Sequence, residues 1–520
     1  MSNINLHYLC LGVLPFLLSG CSIKGGLLTT VGPDYKTPEP PTANRWYAKQ
    51  TDTNTPPTAH QGKLVNLTQW WAGFGDPALN RLLSAAQLES ASIAKAKAQI
   101  EESRANLVSS DSVFLPAIDL GLASSRSNFS FGQAPFLRNQ HQLSVQSSWE
   151  IDLFGGLTRQ REAAQSQLES RVASWHDARV VVAAELANDY LAYRHCEVQL
   201  QLRKADAESR QNAARLTAIA GNAGFRSPAD VALANASAAD GNRMVLQQQA
   251  LCERSIKGLV ALTGLQETQV RAFLTAKPEQ MATLPKPPPF LINTLPAKVI
   301  RQRPDIAAAE RDMAEASAKI GVELANRFPK LSLSGNITPI FQNVNGSALT
   351  LAETWSIGPT LSLPLFDAGK RAANVDAAKA EYEASVAKFR AAVRTAVKEV
   401  EEAMVRIASA DERLPLANSA VSDYRSHFLA TQKLYEAGLG NLIDVETARR
   451  NLVSAELAAK ELEQERVSAW IALYRAAGGS WEDNQTQAPK AKTQASPEEQ
   501  GKTNTNPFSQ QPKELPGAKS

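Results

Sequence analysis

The chain has 520 residues, a formal net charge of +3, aromatic residues at 6% and only four cysteines and six histidines. A balance so close to neutral excludes a bulk electrostatic pull toward nucleic acid. The low aromatic content suits long helices in shallow pairwise contact better than one deep core.

An apolar run from Leu9 to Leu18 leads into Leu18-Ser19-Gly20-Cys21, so residues 1–20 are expected to be a secretory signal. Small residues before a cysteine resemble the lipobox of bacterial lipoproteins. That likeness implies lipidation of Cys21 and, with Ser22 after it, sorting to the outer membrane. An uncut apolar anchor is the other reading, although the run is short for a bilayer span.

Residues 21–68 are rich in Pro, Thr and Asn and are expected to be extended. A first unit is expected over residues 69–276. It opens on Trp70-Trp71 and FGDPALNRLL, where Asp76 caps and Pro77 takes the first position of a helix running to about Val113. Two strands follow, joined by a loop over residues 132–139. In the first, Ile118, Leu120 and Leu122 alternate with Asp119, Gly121 and Ala123. In the second, Leu143, Val145, Trp149, Ile151 and Leu153 share one face. From Gly156 a helical pattern runs to about Ala220, and about 65 residues reach roughly 95 Å. Such a length calls for a coiled-coil-like partner. The chain turns at GNAGFRSPAD and returns as helix from Pro228 to about Thr263.

Residues 277–299 read as a Pro-rich linker, and the plan then repeats over 300–481. Pro116 matches Pro329, Phe154 matches Phe366, Asp230 matches Asp444 and Gly264 matches Gly478. The offset between partners hardly changes along the chain, as a duplicated unit requires. In the second unit Leu331, Leu333 and Ile337 share a strand face, as do Trp355, Ile357, Leu361, Leu363 and Leu365. The second long helix carries a seam at Tyr382, Val386, Phe389, Val393, Val397, Val400, Met404 and Ile407, and Pro415 predicts a kink or break in it. The tail, residues 482–520, is polar and expected to be disordered.

Cys196 and Cys252 each lie 28 residues from Gly224. Antiparallel helices folded at that turn bring them level, so a disulfide is expected in an oxidising compartment, with two buried thiols as the alternative. No metal spacing, phosphate loop or catalytic constellation is present, so neither an enzyme nor a cofactor is expected.

WWAGFGDPALNRLL, WEIDLFGG, RPDIAAAE, RFPKLSLSG, WSIGPTLSLPLFDAGKR and LYRAAGGSW together resemble the TolC-like outer-membrane factors, in particular the NodT-like lipoproteins that serve resistance-nodulation-division pumps. The resemblance implies an α+β membrane protein. Three chains, giving four strands each, would close an outer-membrane β-barrel continuous with a periplasmic α-helical barrel. It also implies a periplasmic adaptor and an inner-membrane pump as partners. The pattern itself agrees: four strands cannot close a barrel, and an open edge in lipid leaves backbone groups unpaired. Trp149, Trp355, Phe129, Phe131 and Phe341 are candidates for interfacial girdles. The implied function is an exit duct for drugs or other small toxic compounds. A duct for type I protein secretion and a non-conducting lipid-anchored scaffold are the alternatives.

By the same resemblance the gate lies at the two helical turns far from the strands, with Asp444 ringing the closed mouth and Tyr435 in a network between protomers. Asp230 is the equivalent acid at the first turn. Thr447 and Gly440 stand where the family often has an acid and an arginine, and Glu446 falls on another helix face. Helix capping at Ser227 and Asn441 accounts for acids at Asp230 and Asp444 without any channel, and both readings stay open.

Overall fold

The computed structural model describes residues 26–48, 58–59, 70–130, 135–275, 283–292 and 296–479. The signal, Cys21, Phe131 and the tail lie outside the described residues.

Period-two stretches become four antiparallel strands. β2 (Ala117–Phe129), β3 (Phe136–Ile151), β5 (Lys330–Val344) and β6 (Thr350–Ser362) form one sheet in that order. β1 (Thr58–Ala59) and β4 (Phe290–Leu291) make a separate short parallel pair. The expected loop over 132–139 is shorter than the sequence indicated: Phe136 already pairs with Phe129. Leu363 and Leu365, expected on β6, lie beyond its end at Ser362.

Register sorts the two faces of the sheet row by row. Leu120 pairs with Val145, Val145 with Ile337, and Ile337 with Trp355. These four are 72%, 40%, 62% and 74% exposed. On the opposite face the neighbouring row is Asp119, Gln146, Asn336 and Ser356. At this level one face is therefore apolar and the other polar, each row reaching across all four strands. Of the girdle candidates, Trp149 sits near the helical end of β3 and donates from Nε1 to the Phe114 carbonyl at 3.0 Å. Phe129 lies near the hairpin end, stacked on Phe136 at 5.6 Å. Trp355 falls mid-strand, away from either end of β6.

The helices are α1 (Pro77–Glu89), α2 (Ala91–Ser112), α3 (Gly156–Asn222), α4 (Pro228–Thr263), α5 (Glu267–Thr275), α6 (Pro296–Arg301), α7 (Pro304–Ala325), α8 (Lys370–Glu436) and α9 (Leu442–Ala476). α3 and α8 each have 67 residues, about 100 Å at 1.5 Å per residue. Each folds back on a shorter return helix, α4 on α3 and α9 on α8.

Two helix expectations are corrected. The helix expected from Pro77 to Val113 is two helices, parted at Ser90, whose ψ of 123° is extended. The break lets α1 turn its Leu79, Leu82, Leu83 and Ala86 into the core. Of the kink or break expected at Pro415, the break does not occur, since α8 continues through it to Glu436. Pro415 is exposed, beyond the buried seam of Val400, Met404 and Ile407.

Midway along the long helices lies the main core. Trp70 stacks on Tyr474 at 4.6 Å, and its Nε1 donates to the Pro288 carbonyl at 2.9 Å. Leu284, Phe290 and Ile292 are buried in this core, so the stretch expected as a linker packs as part of the protein. Asp76 caps α1 as the sequence indicated, accepting from the Ala78 amide at 3.0 Å. Its other oxygen accepts from Tyr190 Oη at 2.6 Å and Arg194 Nη1 at 2.8 Å, all three residues being buried.

His176, beside Trp175 at this level, has its pKa pulled from 6.5 to about 4 by burial and then by the Arg179 charge. Its folded-state pKa is depressed, so the unfolded chain binds the proton first as pH falls. Stability carried by neutral His176 is complete above pH 6.5 and is lost toward about pH 4. Exchanging His176 for Asn is expected to flatten the pH–stability curve in that window. Equal slopes for the two proteins in chemical unfolding would remove the effect.

Candidate functional site at the helical tips

Both long helices end the same way. α3 closes with Gly224 at φ 78° and Phe225 N–H donating to the Ala220 carbonyl at 2.8 Å. α8 closes with Gly438 at φ 77° and Leu439 N–H donating to the Leu434 carbonyl at 2.9 Å. Glycine supplies the left-handed residue without a Cβ clash. Both turns point an apolar side chain, Phe225 or Leu439, into solvent.

The two candidate acids differ in their surroundings. Asp230 completes a capping box: its amide donates to Ser227 Oγ at 3.1 Å, and its carboxylate accepts from the Ser227 amide at 3.4 Å. Asp444 contributes only its amide, which donates to Asn441 Oδ1 at 2.9 Å. The Asp444 carboxylate is exposed and has no hydrogen bond or ion pair among the described residues. Capping therefore uses the Asp230 carboxylate and leaves that of Asp444 unused.

Tyr435 joins the two hairpins. Its hydroxyl lies 3.3 Å from Thr217 Oγ1 on α3. The Arg226 guanidinium stands 4.2 Å above its ring, and Arg226 Nη2 donates to its carbonyl at 3.5 Å. Ala214, Ala234 and Leu442 pack around the ring. A side chain at Gly440 would come within 3.2 Å of the Tyr435 amide, so the second turn closes tightly over this residue.

A second linkage, further from the tips, carries no signal in the sequence. Spacing puts Glu446 on a different helix face from Asp444, and the structure buries it with Asp206, Arg210 and Arg449. Arg210 Nε donates to Asp206 Oδ2 at 2.8 Å, and its Nη1 donates to Ser237 Oγ at 3.1 Å. Ser237 Oγ donates to Glu446 Oε2 at 2.7 Å, and Arg449 Nη1 donates to Glu446 Oε1. Helices α3, α4 and α9 thus share one buried polar cluster with two positive and two negative charges. Burial lowers the Arg449 pKa against the opposing pull of Glu446 and Asp206. Gly241 makes room, since a Cβ there would meet Arg210 Cδ at 2.9 Å. The spacings Asp206–Arg210 and Glu446–Arg449 are ordinary helical ion-pair spacings, so only burial distinguishes them from surface pairs.

Cys196 and Cys252 are brought together in a disulfide between α3 and α4, with Cα atoms 5.5 Å apart. Leu200 and Val245 pack against it, and Gln248 Nε2 donates to Gln199 Oε1 at 3.1 Å alongside. No group of three or more His, Cys, Asp or Glu positioned for a metal ion occurs among the described residues. No described helix is long and apolar enough to cross a membrane.

Comparison with known proteins gives the same answer by sequence and by fold. The toluene efflux pump outer membrane protein TtgC of Pseudomonas putida is 27% identical over 495 residues, covering 92% of this chain and 97% of that protein. Nodulation protein T of Rhizobium leguminosarum bv. viciae is 29% identical over 458 residues, covering 86% and 88%. The outer-membrane channel OprN superposes with a TM-score of 0.75 at 28% identity, covering 86% of this chain and 99% of that one. The Campylobacter jejuni CmeC outer membrane channel shares the fold, with a TM-score of 0.75 at 20% identity, covering 88% and 96%. The family model described as outer membrane efflux protein matches residues 82–265 and 295–479, one segment in each half of the chain. With most of its length matched, and with the strands and long helices of such channels, the chain belongs to the outer membrane efflux protein family of TolC-like channels.

Proposed function

We propose that three copies of this chain form the outer-membrane exit duct of a tripartite efflux system. The duct would pass drugs or other small toxic compounds from an inner-membrane pump, through a periplasmic adaptor, to the exterior. The observation that carries this reading is the sheet, which has an exposed apolar band across one face, a polar row opposite it, and outer strands with one neighbour each among the described residues. Only a closed barrel satisfies such edges in lipid, and its polar face then lines water. The two halves act as copies of one duplicated unit, each giving a strand hairpin to the membrane and a helical hairpin to the periplasm. The apolar tips at Phe225 and Leu439 suit a partner presenting a helical hairpin.

A lipid on Cys21 fits the path of the N-terminal segment. Leu27 and Leu28 amides donate to the Asp152 and Leu153 carbonyls at 2.7 and 3.0 Å. Arg159, buried, holds the next residues, donating to the carbonyls of Val31 and Gly32 and pairing with Asp34 at 2.7 Å. Residue 26 is thereby fixed beside the foot of the sheet, and five residues reach at most about 18 Å.

Mass measurement and electron microscopy of the mature protein in mild detergent test the duct. A hollow trimer is expected, and a monomer or a solid rod would discard it. In the trimer, Asp444 supplies three exposed carboxylates around one axis, whose repulsion or shared cation sets the closed mouth. Asp444→Ala is expected to raise single-channel conductance several-fold at a stability cost of no more than about 1 kcal/mol, the loss of one acid from the first turn of α9. Unchanged conductance and unchanged drug sensitivity would remove the role.

A further inference from the structure

The outer strands of the sheet, β2 and β6, each have one neighbour among the described residues. We propose that β6 pairs antiparallel with β2 of a second copy in one register, with Leu363 opposite Leu120 and Leu365 opposite Ile118. This rests on the trimeric barrel proposed above and specifies its seam.

The register comes from the seam inside the chain. β3 ends the first pair of strands and β5 begins the second, so their pairing is the one that β6 and the next copy's β2 would repeat. There Ile151 lies opposite Leu331 and Trp149 opposite Leu333. Equivalent positions follow from three anchors. Pro116 and Pro329 stand just before β2 and β5, so Ala117 is equivalent to Lys330. Within the hairpins Ala117 pairs with Ser148 and Lys330 with Ser362, which makes Ser148 equivalent to Ser362. The step in numbering from Ser148 to Ser362 equals that from Gly155 to Gly369, the left-handed residues that open α3 and α8. Ile151 then maps to Leu365, and Leu331 maps back to Ile118.

The strand ends explain themselves in this register. β3 continues past its last pair with β2, at Ser148, because β5 holds residues 149–151. β6 stops at Ser362, its last pair with β5, and the equivalent residues 363–365 have no strand beside them. Leu365 is 89% exposed there, and Ile118 is 73% exposed on the other edge. A neighbouring β2 would pair this backbone and cover these side chains together. It also keeps Leu351, Trp355, Ile357 and Leu361 of β6 on the same face as Ile118, Leu120 and Leu122, which a shift of one residue would reverse.

Aligning Leu153-Phe154 with Leu365-Phe366 instead preserves the faces but slides the seam by one full side-chain repeat along the strand. Cysteine cross-linking separates the two. The proposed register puts Ser356 opposite Ser127 and Thr360 opposite Ala123, whereas the shifted one puts Ser356 opposite Ser125. Directly opposite Cβ atoms lie about 4.5–5.5 Å apart and diagonal ones about 7–8 Å. The full-length protein in native membranes, oxidised with copper phenanthroline, should give dimer and trimer bands on a non-reducing gel from Ser127→Cys/Ser356→Cys. The pair Ala123→Cys/Thr360→Cys should do the same, at yields well above Ser125→Cys/Ser356→Cys, while single cysteines give none. Dominance of the shifted pair, or no cross-link from any pair in a protein that is trimeric by mass in detergent, overturns the register and leaves the barrel standing. A monomeric mass overturns the barrel reading itself.

Discussion

Glu446→Ala is expected to destabilise the helical tips by about 3–5 kcal/mol, the usual cost of removing one partner from a buried ion pair. Glu446 accepts from Ser237 Oγ and from Arg449, and Arg210 Nη1 stands 4.0 Å away. Without it, two buried guanidinium groups face the single carboxylate of Asp206. Arg449 loses most, since burial already disfavours its charged form and its Nε has no hydrogen-bond partner among the described residues. Because the cluster ties α9 to α3 and α4, its loss leaves the Tyr435 contacts with Thr217 and Arg226 to hold the two hairpins together near the tips. Hydrogen exchange should rise over residues 206–217 and 442–452, together with channel conductance. Glu446→Gln keeps an acceptor for Ser237 and should lose less. If Glu446→Ala leaves exchange protection in both segments as in the parent protein, the cluster does not hold the hairpins together.

Elements that obey one local period were legible in the sequence, and those decided by distant neighbours were not. Leu120, Val145, Ile337 and Trp355 could each be placed on an apolar face by alternation, and register lines them up across the sheet. The ends of α3 and α8 were marked by Gly224 and Gly438, whose left-handed backbone is a local property. The break at Ser90 has no glycine or proline to announce it. It exists because α1 gains more by turning Leu82 and Ala86 into the core than by continuing straight. At Pro415 the helix runs on unbroken, the proline's penalty softened where the helix faces water. Leu363 and Leu365 continue the alternation yet lie outside β6, because a strand needs a partner as well as a pattern.

At the tips the same division holds. Capping by Ser227 and Asn441 was readable from residue types at fixed spacing, and both caps form. The burial of Glu446 was not readable, because it depends on Gly241 and Ser237 of α4 meeting α3 and α9 at one level. The Tyr435–Arg226 stack likewise joins side chains from two different hairpins, which no local pattern signals.

Cys196→Ser/Cys252→Ser is expected to lower the stability of the first helical hairpin by about 4 kcal/mol, the loop-closure value for a bridge spanning 56 residues. The bridge lies 28 residues from Gly224, roughly 42 Å from the tip at 1.5 Å per residue, so it pins the hairpin well above its turn. The second hairpin has no such bond. Its equivalent positions hold Ala410 and Arg466, and there Arg466 pairs with Asp411 across α8 and α9. One hairpin is therefore covalently fixed against sliding, while the other is held at that level by a partly exposed ion pair. If opening moves α8–α9 against a fixed α3–α4, the double serine variant should unfold at lower denaturant yet keep the parent conductance. Glu446→Ala should change both. Reduction of the parent protein should reproduce the serine variant. Two reactive thiols per chain in denatured, unreduced protein, or equal stability of parent and double variant, would show that the bridge does not carry this load.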